Sequence, residues 1–217
     1  LINGKSGITP IEIEHTGIKV AGTIKEFNPN TALAGFVMPK DLRRISRPAQ
    51  LSTAAAIEAM GNAGLLDENK LKKGIDPNRV GVRIGTGIGA TNLTPEISER
   101  IKQGLRLLTF EVLRIEPERV ATVVSIRLGL KGPVQAPSAA CATGNAAIIG
   151  GFQDIFMNDA DIMVVGGTES ILDYVTLNLF DAVRALSHEV DPEIARRPFD
   201  KKRNGFVMSE GAGILIL

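Results

Sequence analysis

The sequence of 217 residues has few of the residues that cross-link a chain, stack on bases or hold metals. Its single cysteine excludes an internal disulfide framework and a metal site built from several cysteines. Aromatic residues make up 4%, with no tryptophan, which argues against binding single-stranded nucleic acid by base stacking. No apolar run approaches the roughly 20 residues that a membrane-spanning helix needs. A net charge of +1 implies no polyanionic partner for the surface as a whole.

Apolar residues and glycine are plentiful, with 44% hydrophobic residues and 23 glycines. This length and composition suit one α/β domain, or a large part of a bigger one. The chain starts at Leu1 with no methionine and no signal-peptide pattern, and its last residues, GAGILIL, predict a strand with no turn after it. We therefore expect a fragment of a longer protein. One cysteine fits a reducing compartment.

The lone cysteine, Cys141, lies in the stretch PVQAPSAACATGNAAIIGGFQDIF, residues 133–156. Residues 134–136 predict a short strand, and a helical pattern starts at Ala142. Five apolar side chains follow the spacing of one buried helix face: Ile148, Ile149, Phe152, Ile155 and Phe156. Cys141 is therefore expected where a strand ends and a buried helix begins.

That position gives Cys141 two possible roles. Unpaired backbone N–H groups and the helix dipole at a helix start favour a thiolate, and the small neighbouring residues would let a substrate approach the sulfur. A buried structural cysteine is the alternative, and the residues alone leave both interpretations open.

Strands and helices alternate along the middle of the chain. Residues 79–86 and 160–167 predict strands, and the continuous apolar run of the second is typical of a parallel sheet covered on both faces. Helices are expected at residues 48–61, 94–108 and 117–128, and over part of 172–186. The alternation predicts an α/β fold with a largely parallel sheet. Ligands bind beyond the carboxyl ends of such strands, where residues 85–90, Cys141 and Glu169 lie.

The two ends of the chain carry further strand patterns. Residues 18–27 (IKVAGTIKEF) alternate roughly between apolar and polar side chains, which predicts a strand. Residues 199–217 predict a pair of strands, GFVMS and AGILIL, separated by Glu210 and Gly211.

Two short patterns lie outside these elements. Lys40, Arg43, Arg44 and Arg47 form a basic cluster, which is either a solvated face or a docking site for an acidic partner. The sequence GTGIG at residues 85–89 lacks the Lys-Ser/Thr ending of a phosphate-binding loop, so we interpret it as a glycine-rich turn.

Three stretches together resemble one family: GPVQAPSAACATGNAAIIGG, ADIMVVGGTES and RRPFDKKRNGFVMSEGAGILIL. They are similar to the β-ketoacyl-acyl-carrier-protein synthases of type II fatty-acid synthesis, most closely to the synthase II class. The resemblance implies the thiolase-like fold, in which two similar halves stack as α-β-α-β-α layers. Residues 1–217 would then be most of the first half, without its opening strand and without the second half.

The resemblance also implies an activity. Cys141 would be the nucleophile that takes an acyl chain from acyl carrier protein and holds it for decarboxylative Claisen condensation with malonyl-acyl carrier protein. No bound cofactor and no metal is implied, because the substrates are carried on the phosphopantetheine of the carrier. The family's two catalytic histidines, its supporting lysine and its second oxyanion donor belong to the second half, so an isolated first half is expected to be inactive. His15 and His188 match no family motif and are expected at the surface.

Further roles come from the same resemblance. Ile88, Phe180 and Phe206 match positions that line or gate the acyl pocket. Basic residues that meet acyl carrier protein in the family correspond here to Lys40, Arg43, Arg44 and Arg184. Residues 104–124 depart from the commonest family pattern, in a region that reaches the partner subunit's pocket in the family. The resemblance also implies a homodimer, located in the cytoplasm or in a mitochondrial or plastid matrix. It implies no binding to nucleic acid or membranes.

Two alternatives stay open at this point. One is a non-catalytic partner subunit that sets chain length, a class that typically loses the cysteine. The other is a different thioester transferase of the same fold, against which the stretch RRPFDKKRNGF argues.

Overall fold

The computed structural model describes residues 4–217. The strands there are β1 (Ile8–Pro10), β2 (Val20–Gly22), β3 (Leu66–Asp67), β4 (Lys70–Leu71), β5 (Val80–Gly85), β6 (Val134–Gln135), β7 (Ile162–Glu169) and β8 (Gly211–Ile216). The helices are α1 (Pro29–Ala32), α2 (Pro39–Leu42), α3 (Arg47–Asn62), α4 (Thr94–Lys102), α5 (Glu111–Ile115), α6 (Arg119–Leu128), α7 (Thr143–Phe156), α8 (Tyr174–Ala182) and α9 (Pro192–Ala195). No helix in this range is long and apolar enough to cross a membrane.

The chain divides into two compact units. The smaller combines the residues up to Glu26 with Ser170–Glu210, and it contains the antiparallel pair of β1 and β2 together with α8 and α9. The larger combines Phe27–Glu169 with Gly211–Leu217 and contains the main sheet.

The main sheet has four strands in the order β6-β5-β7-β8. β5 pairs in parallel with β6 and with β7, whereas β8 runs antiparallel to β7 at the edge. The predicted α/β class and the largely parallel sheet are therefore confirmed. The parallel register brings Gly85 beside Gly167, so the carboxyl ends of β5 and β7 meet at one edge.

Alternating side chains of the strands supply both faces of this sheet. Val82 and Val164 are fully buried in the main core, which also contains buried side chains of α3 and α6. Met163 and Val165 point the other way and form a second cluster, against which Ile148 and Ile155 of α7 pack. The larger unit thus has α3 and α6 on one face of the sheet and α7 on the other.

Helix α7 approaches the sheet through its smallest residues. Its buried positions are Thr143, Ala147, Gly150, Gly151 and Asp154, which follow a helical spacing. A Cβ on Gly151 would collide with Val165 Cγ1, and one on Gly150 would lie 2.7 Å from Arg83 Nη1. Small side chains are therefore required on the face of the helix that contacts the sheet.

The predicted buried apolar face of α7 is wrong in three of its five positions. Ile149, Phe152 and Phe156 are 58%, 62% and 80% exposed, and the two phenylalanine rings stack on each other. The periodicity correctly predicted an apolar stripe on the helix. The glycine side of the helix is buried against the sheet instead, because the helix approaches the sheet closely.

The strand predictions at the two ends are confirmed only in part, for Val20–Gly22 and for AGILIL. Of residues 18–27 only Val20–Gly22 form a strand, and GFVMS forms only isolated bridges. The AGILIL strand pairs with β7 rather than with GFVMS, because hydrogen bonds along Gly211–Ile216 complete the edge of the main sheet.

Two of the predicted helices differ slightly in their bounds. The helix predicted at residues 94–108 ends at Lys102. The helix predicted at 117–128 is α6, which ends at Leu128 and is capped by Gly129 with a φ of 68°.

One ion pair fastens α7 to the sheet. Arg83 of β5 donates to both carboxylate oxygens of Asp154, at 2.5 Å from Nε and 2.7 Å from Nη2, and the two side chains are 17% and 8% exposed. This hydrogen-bonded carboxylate raises the pKa of Arg83 above its ordinary value. Arg83 also donates to Gln135 of β6, so a single guanidinium links two strands and the helix.

We predict that Asp154→Asn destabilises the protein by about 3 kcal/mol, because it leaves the Arg83 charge largely buried without its partner. Asp161→Asn is the matched control, because Asp161 pairs with Arg79 at 2.6 Å on the exposed surface. Its effect should be small, since exposed pairs contribute little. Urea denaturation measures both variants, and equal destabilisation would contradict an anchoring role for the Arg83–Asp154 pair.

Candidate active site

Cys141 lies on a tight turn between β6 and α7 and is exposed. Ala140 has a φ of 48°, in the left-handed region that a residue with a Cβ rarely adopts. Ala142 is the N-cap of α7, so Cys141 immediately precedes the cap. The prediction that the cysteine lies at the start of this helix is confirmed, although the exposure of Ile149, Phe152 and Phe156 shows that the helix is less buried than expected.

The side chain of Thr143 holds this turn together. Its hydroxyl accepts a hydrogen bond from the Ala139 N–H at 2.8 Å and donates one to the Ala140 carbonyl at 2.7 Å. The Thr143 residue is 4% exposed, so water does not compete strongly for these groups. The two residues that precede Cys141 are thereby fixed by a side chain that follows it.

The cavity beside Cys141 has a volume of about 430 Å³ and is formed by the ends of the strands. Besides the cysteine it is lined by Gly85, Thr86, Gly87, Ala140, Thr143, Gly144, Gly167, Thr168, Glu169, Gly211, Ala212 and Gly213. A Cβ on Gly85 would collide with the Pro137 carbonyl oxygen and Thr143 Cγ2, so glycine allows the strand end to approach the cysteine turn. The predicted meeting of residues 85–90, Cys141 and Glu169 at one sheet edge is borne out by Gly85–Gly87, the cysteine and Glu169.

Glu169 fixes the opposite wall of this cavity. Its carboxylate accepts from Thr86 Oγ1 at 2.7 Å and from the Gly87 N–H at 2.8 Å. Thr86 Oγ1 in turn accepts from the Gly89 N–H at 3.1 Å. GTGIG is therefore a glycine-rich turn, as predicted, whose N–H groups at Gly87 and Gly89 are used within the protein. Gly89 has a φ of 81°, which favours glycine there.

The predicted pocket-lining residues occupy different surroundings. Ile88 is half-buried and follows Gly87, but it is not among the residues that line the Cys141 cavity. Phe180 and Phe206 lie together in the smaller unit, with ring centroids 5.7 Å apart and an edge-to-face angle of 82°. Phe206 is 46% exposed, which excludes an ordinary core position for it. The Phe206 N–H donates to the Ala185 carbonyl and the Ser187 N–H donates to the Phe206 carbonyl, and these hydrogen bonds hold the segment around Phe206 in place.

Arg184 lies outside helix α8, although it follows Phe180 by four residues, because α8 ends at Ala182. Arg184 adopts a φ of 56°, outside the helix, and donates its backbone N–H to the Asp181 carbonyl at 2.7 Å. The spacing of four residues therefore does not translate into a shared helix face here.

The other expected carrier-docking residues are exposed. Lys40 belongs to the short helix α2, and Arg43 and Arg44 follow it. Arg44 pairs with Asp41 at 3.2 Å, and its guanidinium lies 4.7 Å from the centre of the Phe110 ring. These contacts hold one charge of the basic cluster in a fixed place.

The two histidines have no place in the cysteine site. The side chains of His15 and His188 are 79% and 58% exposed, and His188 Nε2 lies 2.7 Å from Asp181 Oδ1 in the smaller unit. Their expected position at the surface is confirmed. Within residues 4–217, no group of three or more His, Cys, Asp or Glu side chains is arranged to hold a metal ion.

The fold and the cysteine turn place the chain among thiolase-like proteins. A β-ketoacyl synthase from Burkholderia phymatum superimposes on 99% of this chain with a TM-score of 0.84 at 26% identity, and the match spans 52% of that chain. The ishigamide ketosynthase/chain length factor gives a TM-score of 0.80 at 27% identity, covering 98% of this chain and 51% of its own. These matches confirm the predicted fold class.

The family model described as "Beta-ketoacyl synthase, N-terminal domain" matches residues 1–217. The chain therefore belongs to the β-ketoacyl synthase family. It is 40% identical over its whole length to 3-oxoacyl-[acyl-carrier-protein] synthase 2 of Staphylococcus aureus, and 34% identical to the chloroplastic synthase I of Arabidopsis thaliana. It spans about half the length of these relatives, 52% and 46% respectively.

We predict that Thr143→Val slows alkylation of Cys141 by iodoacetamide about tenfold, because it removes the acceptor for the Ala139 N–H and the donor to the Ala140 carbonyl. Thr143→Ser keeps both hydrogen bonds and should react at nearly the original rate. Mass spectrometry of quenched samples measures the rates, and thermal melting checks the fold. Equal rates for the Val and Ser variants would mean that the hydroxyl does not position the cysteine.

Proposed function

We propose that this protein is a β-ketoacyl-acyl-carrier-protein synthase that elongates fatty acids. The observation that carries the proposal is Cys141 itself, exposed at the start of α7 and facing a cavity of about 430 Å³. A nucleophile that must accept a long thioester substrate needs this combination of access and fixed geometry.

The proposed chemistry begins with transfer of an acyl group. The Cys141 thiolate attacks the carbonyl carbon of the acyl thioester, and the phosphopantetheine thiolate of the carrier leaves and takes up a proton. Malonyl-acyl carrier protein then loses CO₂, and the resulting carbanion attacks the enzyme thioester, forming the new carbon–carbon bond and releasing Cys141. The N–H of Cys141 is a proposed donor to the oxyanion that forms in each attack.

The acyl chain needs apolar walls, and Ile88, Phe180 and Phe206 remain the residues we propose for them. Burial of a fatty chain contributes about 0.8 kcal/mol for each CH₂ group, so a few such side chains suffice to retain a substrate. The edge-to-face contact of Phe180 with Phe206 supports a joint role, since movement of one ring requires adjustment of the other.

Acyl carrier protein is the proposed partner. The names of the curated relatives specify acyl-carrier-protein substrates. A type II polyketide acyl-carrier protein in complex with its ketosynthase, bound to the hexaketide, matches 99% of this chain and 51% of its own with a TM-score of 0.76 at 29% identity. We propose that Lys40, Arg43, Arg44 and Arg184 meet the acidic carrier. The homodimer, the compartment and the absence of a bound cofactor stay predictions.

The chain-length-setting alternative is less favoured by the site. One similar structure is described as a ketosynthase/chain length factor, so this alternative has a structural relative. An accessible cysteine on a turn held by Thr143 would have no use in a subunit that performs no acyl transfer.

We predict that Cys141→Ala reduces formation of 3-oxoacyl product from acyl- and malonyl-acyl carrier protein to background, because no thiolate is left to hold the acyl group. The assay uses the complete protein and separates the products by mass. His15→Ala is the control, since His15 is a surface residue outside the cavity, and it should retain normal turnover. Turnover by the alanine variant of Cys141 would overturn the proposed function.

For docking, we predict that reversing Arg43 and Arg44 to Glu raises the KM for a carrier-borne acyl group much more than the KM for a small carrier-free thioester. Surface charges steer an acidic partner and are screened by salt, so the difference should shrink at high ionic strength.

The matched control for this double variant is Lys72→Glu with Lys73→Glu, an adjacent exposed pair with the same change in charge. If the control pair raises the carrier KM equally, only net charge matters. If the KM values for both substrates rise equally in the Arg43 and Arg44 variant, the cluster is structural. Either result would contradict specific docking at this cluster.

A further inference from the structure

A second cavity of the larger unit, with a volume of about 250 Å³, is built around arginine side chains. Arg43 and Arg44 follow α2, Arg106 lies between α4 and α5, and Arg114 lies on α5. Leu107, Leu108, Thr109 and Phe110 complete the lining, which contains no carboxylate. Arg106 and Arg114 belong to the segment that departs from the commonest family pattern.

The charges of this arginine pocket do not balance within the protein. Arg44 pairs with Asp41 at 3.2 Å, but Asp41 is shared with Arg127 at 3.7 Å. Arg114 pairs with Glu111 at 2.5 Å. No carboxylate in residues 4–217 lies within ion-pair distance of Arg43 or Arg106. Arg43 and Arg106 are therefore the two arginines of this pocket that lack a carboxylate partner among the described residues.

The side chains of Arg44 and Arg114 are held in position by contacts within the protein, and so is the backbone at Arg106. The Arg44 guanidinium rests on the Phe110 ring, and the Arg106 carbonyl accepts from Arg100 Nη2 at 2.7 Å. Arg114 is largely buried, and its Nε atom has no hydrogen-bond partner among the described residues. A buried unpaired N–H costs free energy unless a ligand or water satisfies it.

We infer that this pocket binds a phosphate group, with the four arginines as donors. A phosphate monoester carries close to two negative charges, which matches the two guanidinium groups without a carboxylate partner, those of Arg43 and Arg106. Arginine is the side chain best suited to paired hydrogen bonds with phosphate oxygens. The leucines and Phe110 offer an apolar wall to the organic part of the ligand. The inference shares Arg43 and Arg44 with the proposed docking surface, but it does not require condensation by Cys141.

The test is isothermal titration of the complete protein with inorganic phosphate at constant ionic strength. Arg106→Gln should raise the Kd for phosphate about tenfold or more, because a charged hydrogen-bond donor is lost from an exposed residue that the fold does not need. Arg106→Lys keeps the charge but not the planar fork and should recover only part of the affinity. Lys102→Gln is the matched control, with the same loss of charge outside the pocket, and should leave the Kd within about twofold.

Two further titrations identify the source of the phosphate. If the phosphate belongs to a free nucleotide, adenosine 3′,5′-bisphosphate should have a lower Kd than inorganic phosphate. This difference in Kd should disappear in the Arg106→Gln variant. If the phosphate belongs to the carrier, Arg106→Gln should weaken the binding of carrier protein that bears its phosphopantetheine arm. The same substitution should not change the binding of carrier protein that lacks the arm. Absence of phosphate binding, or equal effects of Arg106→Gln and Lys102→Gln, would overturn the inference. Alkylation of Cys141, measured separately, tests the proposed catalytic site whatever the phosphate result.

Discussion

The arrangement at Cys141 depends on one largely buried ion pair, in which Arg83 of the central strand donates to both oxygens of Asp154 on α7. It acts together with Gly150 and Gly151, which let the helix lie close enough to the sheet for Arg83 to reach Asp154. Helix α7 is therefore held against β5 and β7, and its N-terminus is carried to the edge where those strands end. The ion pair and the packing of Ile148 and Ile155 on the sheet together give the cysteine turn its position relative to the strand ends.

The cavity is the local consequence of that anchoring. On one side the Thr143 hydroxyl fixes a backbone turn that contains a left-handed alanine, and on the other Glu169 fixes the glycine-rich turn after β5. Thr143 and Glu169 fix these turns by hydrogen bonds and need not take part in the reaction. The same unit also gathers four arginines around a separate cavity, so its surface combines a nucleophile site with a distinct basic site.

Sequence patterns predicted the features that depend on neighbouring residues along the chain. The strand of residues 160–167, the helix of 48–61 and the position of Cys141 followed from apolar runs, proline and small residues. Which strand would accept residues 211–216 as a neighbour did not follow, because strand pairing is decided by distant residues. The hydrogen bonds of Thr143 and the anchoring role of Arg83 were missed for the same reason. Only their placement next to predicted strand and helix ends could have suggested them.

The central claim is that the sulfur of Cys141 carries the acyl group. The most direct measurement incubates the complete protein with an acyl thioester, digests it at low pH and locates the added acyl mass by tandem mass spectrometry. The account predicts one acylated peptide, residues 133–156 or a part of it, with the mass on Cys141 and released by neutral hydroxylamine. Acylation at another residue, or no acylation while the cysteine is still alkylated by iodoacetamide, would contradict it.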